Sequence, residues 1–350
     1  FIGIFILSFL SHRLNKDEMG LFLIIRRITA FCIPIFSLNL GLSLAKYSFN
    51  KKDISLSNFT NSIIITFIFL ILSLLPIFAF SDKIILFIFN SSTYQSEFNS
   101  LIIFLIINIF HNLVYNFLRG QQNYKLMNIV NIIFGLSGLI SLIILYLPLN
   151  IEFQLVSMFY YTYSFVLLLF DIFIILKSQT SSSIIDNIIK FKIKFDKQFL
   201  NYGLSRIPSG LFLALIFTLP VLITSNLESA ASIGIVLAIC KMIQMIVFPF
   251  NVILLPEISK LLNDKNEDKI NLYIQLSFEI IFSLLLFFGI SLFFFTPELI
   301  KLCFGSNYLS IISPMKIIFP FIGIYLGYII LRGIIDGLYE KPYINFINAI

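Results

Sequence analysis

Apolar stretches of roughly 20 residues recur along the whole chain, each long enough to cross a hydrocarbon core ~30 Å thick as a helix. They do not alternate apolar with polar residues, as the strands of an outer-membrane barrel would. Inside lipid every backbone polar group needs a partner within the protein, which leaves helices as the spanning element. Of the 350 residues, 59% are hydrophobic and 12% charged, with a mean hydropathy of +0.98. Soluble domains carry about twice that charge. The chain therefore reads as an all-α polytopic membrane protein with no sizeable soluble domain.

The pattern predicts a partial helix at 1–11 and spans near 20–45, 60–80, 99–118, 126–147 and 153–176. After the longest polar stretch come spans near 199–224, 231–255, 270–295 and 312–331, with an eleventh helix beginning near 342. Both termini fall inside apolar runs, so the expectation is an interior piece of a longer protein, truncated at both ends. The first run lacks the basic leader and small-residue cleavage site of a signal peptide.

The chain also repeats itself at an offset of about 214 residues. Gly20 through Arg27 lies over Gly234 through Lys241, Lys46 over Lys260, and Leu118-Arg119-Gly120 over Leu331-Arg332-Gly333. Pro34 and Pro249 match within one residue. Apolar matches mean little between two greasy helices, so the Gly, Pro and charged matches carry the argument. Two similar halves in a membrane are the plan of a transporter.

Sorting the 24 Lys and Arg by side puts fifteen on one side, five on the other and four within spans. The richer side is cytoplasmic by the positive-inside rule. Six spans per half leave both halves pointing the same way, as two pseudo-symmetric six-helix bundles around a central cavity. The division is an N-terminal lobe at 1–177, a basic cytoplasmic linker at 178–198 and a C-terminal lobe at 199–350. In the linker, Ile189 to Phe195 alternates Ile or Phe with Lys, as a segment lying on anionic lipid would, or as a solvated loop would. The net charge of +6 follows from this topology, and no nucleic-acid partner is implied.

Four cations sit within the spans: Arg26, Arg27, Arg206 and Lys241. A charge at mid-span costs about 2.5–3.5 kcal/mol on insertion scales, so such residues face a wet interior, snorkel or pair. Arg26 and Arg27 lie roughly 10 Å inside the second span at 1.5 Å per residue, and Lys241 matches Arg27 in the other half. Arg27 and Lys241 are the leading candidates for contact with an anionic ligand. Arg206 enters its span from the cytoplasm, where snorkelling is an equal reading.

Asn108, His111, Asn112, Tyr115, Asn116 and Arg119 recur on steps of three and four, forming one helix face. Such a stripe lines a cavity or hydrogen-bonds a partner helix. Tyr161 shares a face with Ser157, Ser164 and Asp171, and Asp171 could pair with Lys177. Glu279 is the deepest carboxylate, suited to ion coupling or to a salt bridge with a cation such as Arg206. Cys32, Cys240 and Cys303 lack metal-ligand spacing, no catalytic motif stands out, and no cofactor is expected.

The segment Phe9 to Phe22, Gly41-Leu42 followed by Lys46, and the helix-end pairs Arg119-Gly120 and Arg332-Gly333 with Lys341-Pro342 resemble polysaccharide flippases. These form the O-antigen or capsule repeat-unit (Wzx-type) branch of the multidrug/oligosaccharidyl-lipid/polysaccharide exporter superfamily. The resemblance implies alternating access in a cytoplasmic membrane. It implies no enzyme activity, and a polyprenyl-pyrophosphate-linked oligosaccharide as substrate. Membrane lipids, polysaccharide polymerase and chain-length machinery are its implied partners. In that reading Arg26, Arg27, Lys241 and Arg206 meet the pyrophosphate, while Asn108, His111, Asn112, Tyr115 and Tyr161 meet sugar. Glu279 and Asp171 are the ion-coupling candidates. Alternatives are a lipid II flippase or a multidrug–cation antiporter of the same superfamily. From another class, a membrane polymerase or glycosyltransferase competes.

Overall fold

A computed structural model of the chain describes residues 2–48, 52–146, 155–177, 197–224, 226–339, 341 and 343. Among them are fourteen α-helices and no strand. The first half comprises α1 (Ile2–Arg13), α2 (Lys16–Phe36), α3 (Leu40–Tyr47), α4 (Lys52–Ala79), α5 (Ser81–Phe89), α6 (Gln95–Gly120), α7 (Tyr124–Tyr146) and α8 (Leu155–Lys177). The second comprises α9 (Lys197–Ser205), α10 (Ile207–Leu222), α11 (Leu227–Asn263), α12 (Glu267–Leu276), α13 (Phe282–Phe304) and α14 (Ile312–Leu338). A π-helical turn at Ser277–Ile281 joins α12 to α13, and a 3-10 turn at Ser306–Ile311 leads into α14. Among the described residues, eight segments are long and apolar enough to cross a membrane. Residues 178–196 of the basic linker, with its Ile/Phe–Lys alternation, lie outside the described residues, as does the helix expected from 342.

Local sequence sets the helix starts. Asn15 caps α2 by accepting the Glu18 N–H at 2.8 Å, while Glu18 accepts the Asn15 N–H at 3.0 Å, a reciprocal capping box. Asn226 caps α11 in the same way, accepting the Ser229 N–H at 2.7 Å.

The repeat becomes a correspondence of elements: α2–α3 with α11, α4–α5 with α12–α13, and α6 with α14. Its halves differ at the matched prolines. A single span expected over 20–45 is instead broken, with Leu38 and Asn39 in the left-handed region at φ 51° and 52°. The equivalent α11 runs unbroken for 37 residues through Pro249 and Pro256. The break is held from the other half: Asn39 Nδ2 donates to the Arg206 carbonyl at 2.9 Å, and Gly210 lies against Pro34. The corner of α2–α3 thus docks on the corner of α9–α10.

The two halves meet along α2, which packs on α10 and α11. The repeat-matched glycines Gly20 and Gly234 both lie on this seam. A Cβ at Gly20 would stand 2.3 Å from the Leu227 carbonyl oxygen, and one at Gly234 would stand 2.7 Å from Leu23 Cδ1. Small residues let membrane helices approach closely where no hydrophobic drive separates lipid from protein. One cluster of buried apolar side chains, including Leu23, Ile25, Phe217, Ile235 and Phe319, crosses the seam.

Candidate functional site

Just past that glycine crossing, α2 and α11 bring their matched cations to the seam. Arg27 is 4% exposed, and its Nη2 donates to the Gly234 carbonyl at 3.3 Å. Its guanidinium carbon stands 5.8 Å from the ring centre of Phe217 on α10, and Lys241 Nζ stands 4.9 Å from the same ring. Two cations therefore share one aromatic ring, a cation–π arrangement whose quadrupole offsets only part of their charge. Thr218 beside Phe217 donates its hydroxyl to the Arg27 carbonyl at 3.2 Å, pinning the backbone of α2 at this level.

Arg26 points away from the seam into the first half, with Nη2 3.8 Å from where a Cβ on Gly3 would stand. Among the described residues none of Arg26, Arg27 and Lys241 forms an ion pair, and Arg27 Nε has no hydrogen-bond partner. Three cations gathered within membrane spans, without a carboxylate, are costly unless an anion compensates them. Arg27 is buried in the seam, while Arg26 and Lys241 are partly exposed.

The fourth candidate cation stands elsewhere. Arg206 is 1% exposed, neither snorkelling nor joined to Glu279. Its Nε donates to Asp336 Oδ1 at 2.9 Å, its Nη2 to the Tyr339 carbonyl at 2.7 Å, and its guanidinium stacks 3.6 Å over Tyr202. Glu279 is exposed on the π-helical turn, where it accepts from Gln275 Nε2 at 2.8 Å, so it is not the buried carboxylate its depth in the span suggested. A π-turn inserts an extra residue per turn and rotates the side chains that follow.

Asp171 is fully buried and paired with His111, whose Nδ1 lies 3.0 Å from Oδ1 and 3.2 Å from Oδ2. Lys177, the partner expected for it, has a side chain outside the described ones. The remaining polar candidates, Tyr115 excepted, find partners within the first half. Asn108 donates to the Phe104 carbonyl at 2.7 Å, and Asn116 donates to Asn112 Oδ1 at 3.1 Å beside Gly41 of α3. Tyr161 donates to the Ser96 carbonyl at 3.3 Å, and the buried Tyr115 hydroxyl has no partner among the described residues. A separate groove of about 250 Å³ opens between α12–α13 and α14, lined by Phe278, Phe282, Ile324, Tyr328 and Arg332 among others.

Sequence reasoning missed Phe217, Thr218 and Asp336. Only Asp336 left a signal, as a carboxylate one turn beyond Arg332; the others are ordinary residues until α10 is laid against α2.

No family model and no curated protein matches the sequence. Solved structures do. An outward-facing multidrug resistance MATE family transporter of the MOP superfamily is similar at a TM-score of 0.73 and 15% identity, covering 99% of this chain and 80% of that one. An inward-facing one is similar at 0.66 and 13%, covering 99% and 82%. A MATE protein in complex with MaL6 is similar at 0.60 and 16%, covering 99% and 87%. At these identities the likeness is one of fold, and the chain has the fold of the MATE transporters of the MOP superfamily.

Proposed function

We propose that this protein is a flippase that carries a polyprenyl-pyrophosphate-linked oligosaccharide across the cytoplasmic membrane by alternating access, for cell-surface polysaccharide synthesis. The observation that supports this reading is the pair Arg27 and Lys241 at the seam between the two halves, with no acidic partner among the described residues and with Arg26 adjoining on α2. A diphosphate must shed water to cross the membrane interior, and fixed cations offset that loss. Arg27 presents a planar donor array suited to phosphate oxygens, whereas Lys241 acts as a mobile point charge. The apolar tail can stay in the bilayer while the headgroup passes between the halves. Two similar folds, one facing inward and one outward, support a cycle of exposure to alternate sides. Polysaccharide polymerase and chain-length machinery are the partners such a role calls for, and the chemistry is transport rather than catalysis.

The test is flipping of a fluorescent polyprenyl-pyrophosphate sugar in proteoliposomes. Arg27→Ala and Lys241→Ala should each lower the rate about 10–100-fold, since losing one charged contact to phosphate removes roughly 1.5–3 kcal/mol. Unchanged flipping in the double variant overturns the reading. Efflux of a cationic dye that survives or rises in the same variants favours a multidrug–cation antiporter instead.

A further inference from the structure

The basic residues at the cytoplasmic helix ends read in sequence as positive-inside charges, yet two of them are buried between the halves. Arg119, in the last turn of α6, is 5% exposed and donates across the seam to α11. Its Nε reaches the Val252 carbonyl at 3.0 Å, and its Nη2 reaches the Asn251 carbonyl at 2.8 Å and Asn251 Oδ1 at 3.3 Å. The Val252 carbonyl is available because Pro256, four residues on, has no N–H to give it. Asn251 Nδ2 donates onward to the Ile329 carbonyl at 2.6 Å, so the contact extends to α14.

Lys46, at the end of α3, makes the second crossing. Its Nζ lies 3.4, 3.5 and 3.4 Å from the carbonyls of Asp336, Gly337 and Tyr339. These belong to the C-terminal end of α14, where carbonyls lack helical partners and the dipole is negative. Gln122 Nε2 adds a bond to Glu257 Oε2 at 3.1 Å. Arg332 and Lys260 hold the matching places in the second half, and they do not cross. Lys260 is exposed, and Arg332 reaches Asp336 on its own helix at 3.6 Å. The first half supplies the cations and the second supplies the carbonyls.

We infer that Arg119 and Lys46 bolt the cytoplasmic gate by binding backbone carbonyls of the second half, and that their release opens the cation site to the cytoplasm. The partners suit repeated opening. A cation–carbonyl bond is stronger than a neutral one, and at Arg119 parting it frees a guanidinium and carbonyls that can both be rehydrated. The inference stands whatever the substrate is.

Cys240 provides the reporter: it is 6% exposed on α11 and next to Lys241 in sequence. With Cys32→Ser and Cys303→Ser, its labelling by a membrane-impermeant thiol reagent is followed from either face, in inside-out and right-side-out vesicles. Arg119→Gln should speed cytoplasmic-face labelling about tenfold or more, consistent with loss of several charge-assisted bonds. Labelling from the opposite face should not change. Lys46→Met should act in the same direction more weakly, and Arg332→Gln should leave both rates near the parent values. An unchanged cytoplasmic rate in Arg119→Gln overturns the gate. So does an equal rise from both faces, which reports general loosening. If Arg119→Gln fails to accumulate, Arg119→Lys retains the charge but fewer donors, and must still speed labelling from the cytoplasmic face alone.

Discussion

At the scale of single residues, the lack of an acidic partner among the described residues separates the transport candidates from the structural charge. Arg27 and Lys241 face an aromatic ring and no acid, whereas Arg206 has Asp336, a carbonyl and Tyr202. Removing one member of a buried pair leaves the other uncompensated, at a cost of about 3–5 kcal/mol, while replacing both with apolar groups is often tolerated. Arg206→Met and Asp336→Asn should each lower the Tm of the purified protein markedly, and Arg206→Met with Asp336→Leu should recover much of it. Thermal unfolding in detergent checks this, and equal losses in single and double variants would contradict it. The sequence made the cations legible, because Lys and Arg in apolar runs are conspicuous. It did not tell Arg27 from Arg206, since the difference lies in Asp336, 130 residues away. The exposure of Glu279 was hidden for a related reason: depth along a helix is visible in sequence, but the direction of a side chain within a π-turn is not.

At the scale of elements, the seam depends on how closely α2 and α11 approach. The two matched glycines face different obstacles. A methyl group at Gly20 meets the backbone carbonyl of Leu227, which cannot move without shifting α11. At Gly234 it meets the side chain of Leu23, which can rotate. Gly20→Ala should therefore destabilise the protein more than Gly234→Ala, by ~1–3 kcal/mol if the overpacking found in soluble cores applies. A Tm ranking in the opposite order would show that α2 and α11 are not held at this spacing. The repeat exposed both glycines. It did not reveal that Pro34 belongs to a broken helix and Pro249 to a continuous one. A proline removes one helical bond in either case, and the docking of Asn39 and Gly210 against neighbouring helices settles which chain turns.

Over the whole molecule, contacts between the halves occur at both ends. One end carries Arg119, Lys46 and Gln122 against the second half. At the other end Lys16 pairs with Glu228, and His12 lies beside Gly305. The Lys16–Glu228 pair is solvated, with side chains 43% and 54% exposed, so it contributes less than about 1 kcal/mol. Lys16→Ala with Glu228→Ala should change outer-face labelling of Cys240 by less than Arg119→Gln changes cytoplasmic-face labelling. A larger outer effect would mean that the exposed pair, rather than packing, holds that side shut.

The all-helical membrane class and the recurrence of membrane-length apolar runs were legible in composition and spacing, although the described residues hold fourteen α-helices and eight candidate spans rather than the eleven helices expected. Each follows from one solvent acting on one residue at a time: lipid demands apolar runs and closed backbone bonds, and the membrane surface sorts Lys and Arg. Which cation stays unpaired, which one bolts the halves together and which helix breaks emerged only once the chain was packed. Those outcomes depend on partners more than a hundred residues distant, such as Asp336 for Arg206 and the carbonyl freed by Pro256 for Arg119. Local pattern carries no record of who the neighbour will be.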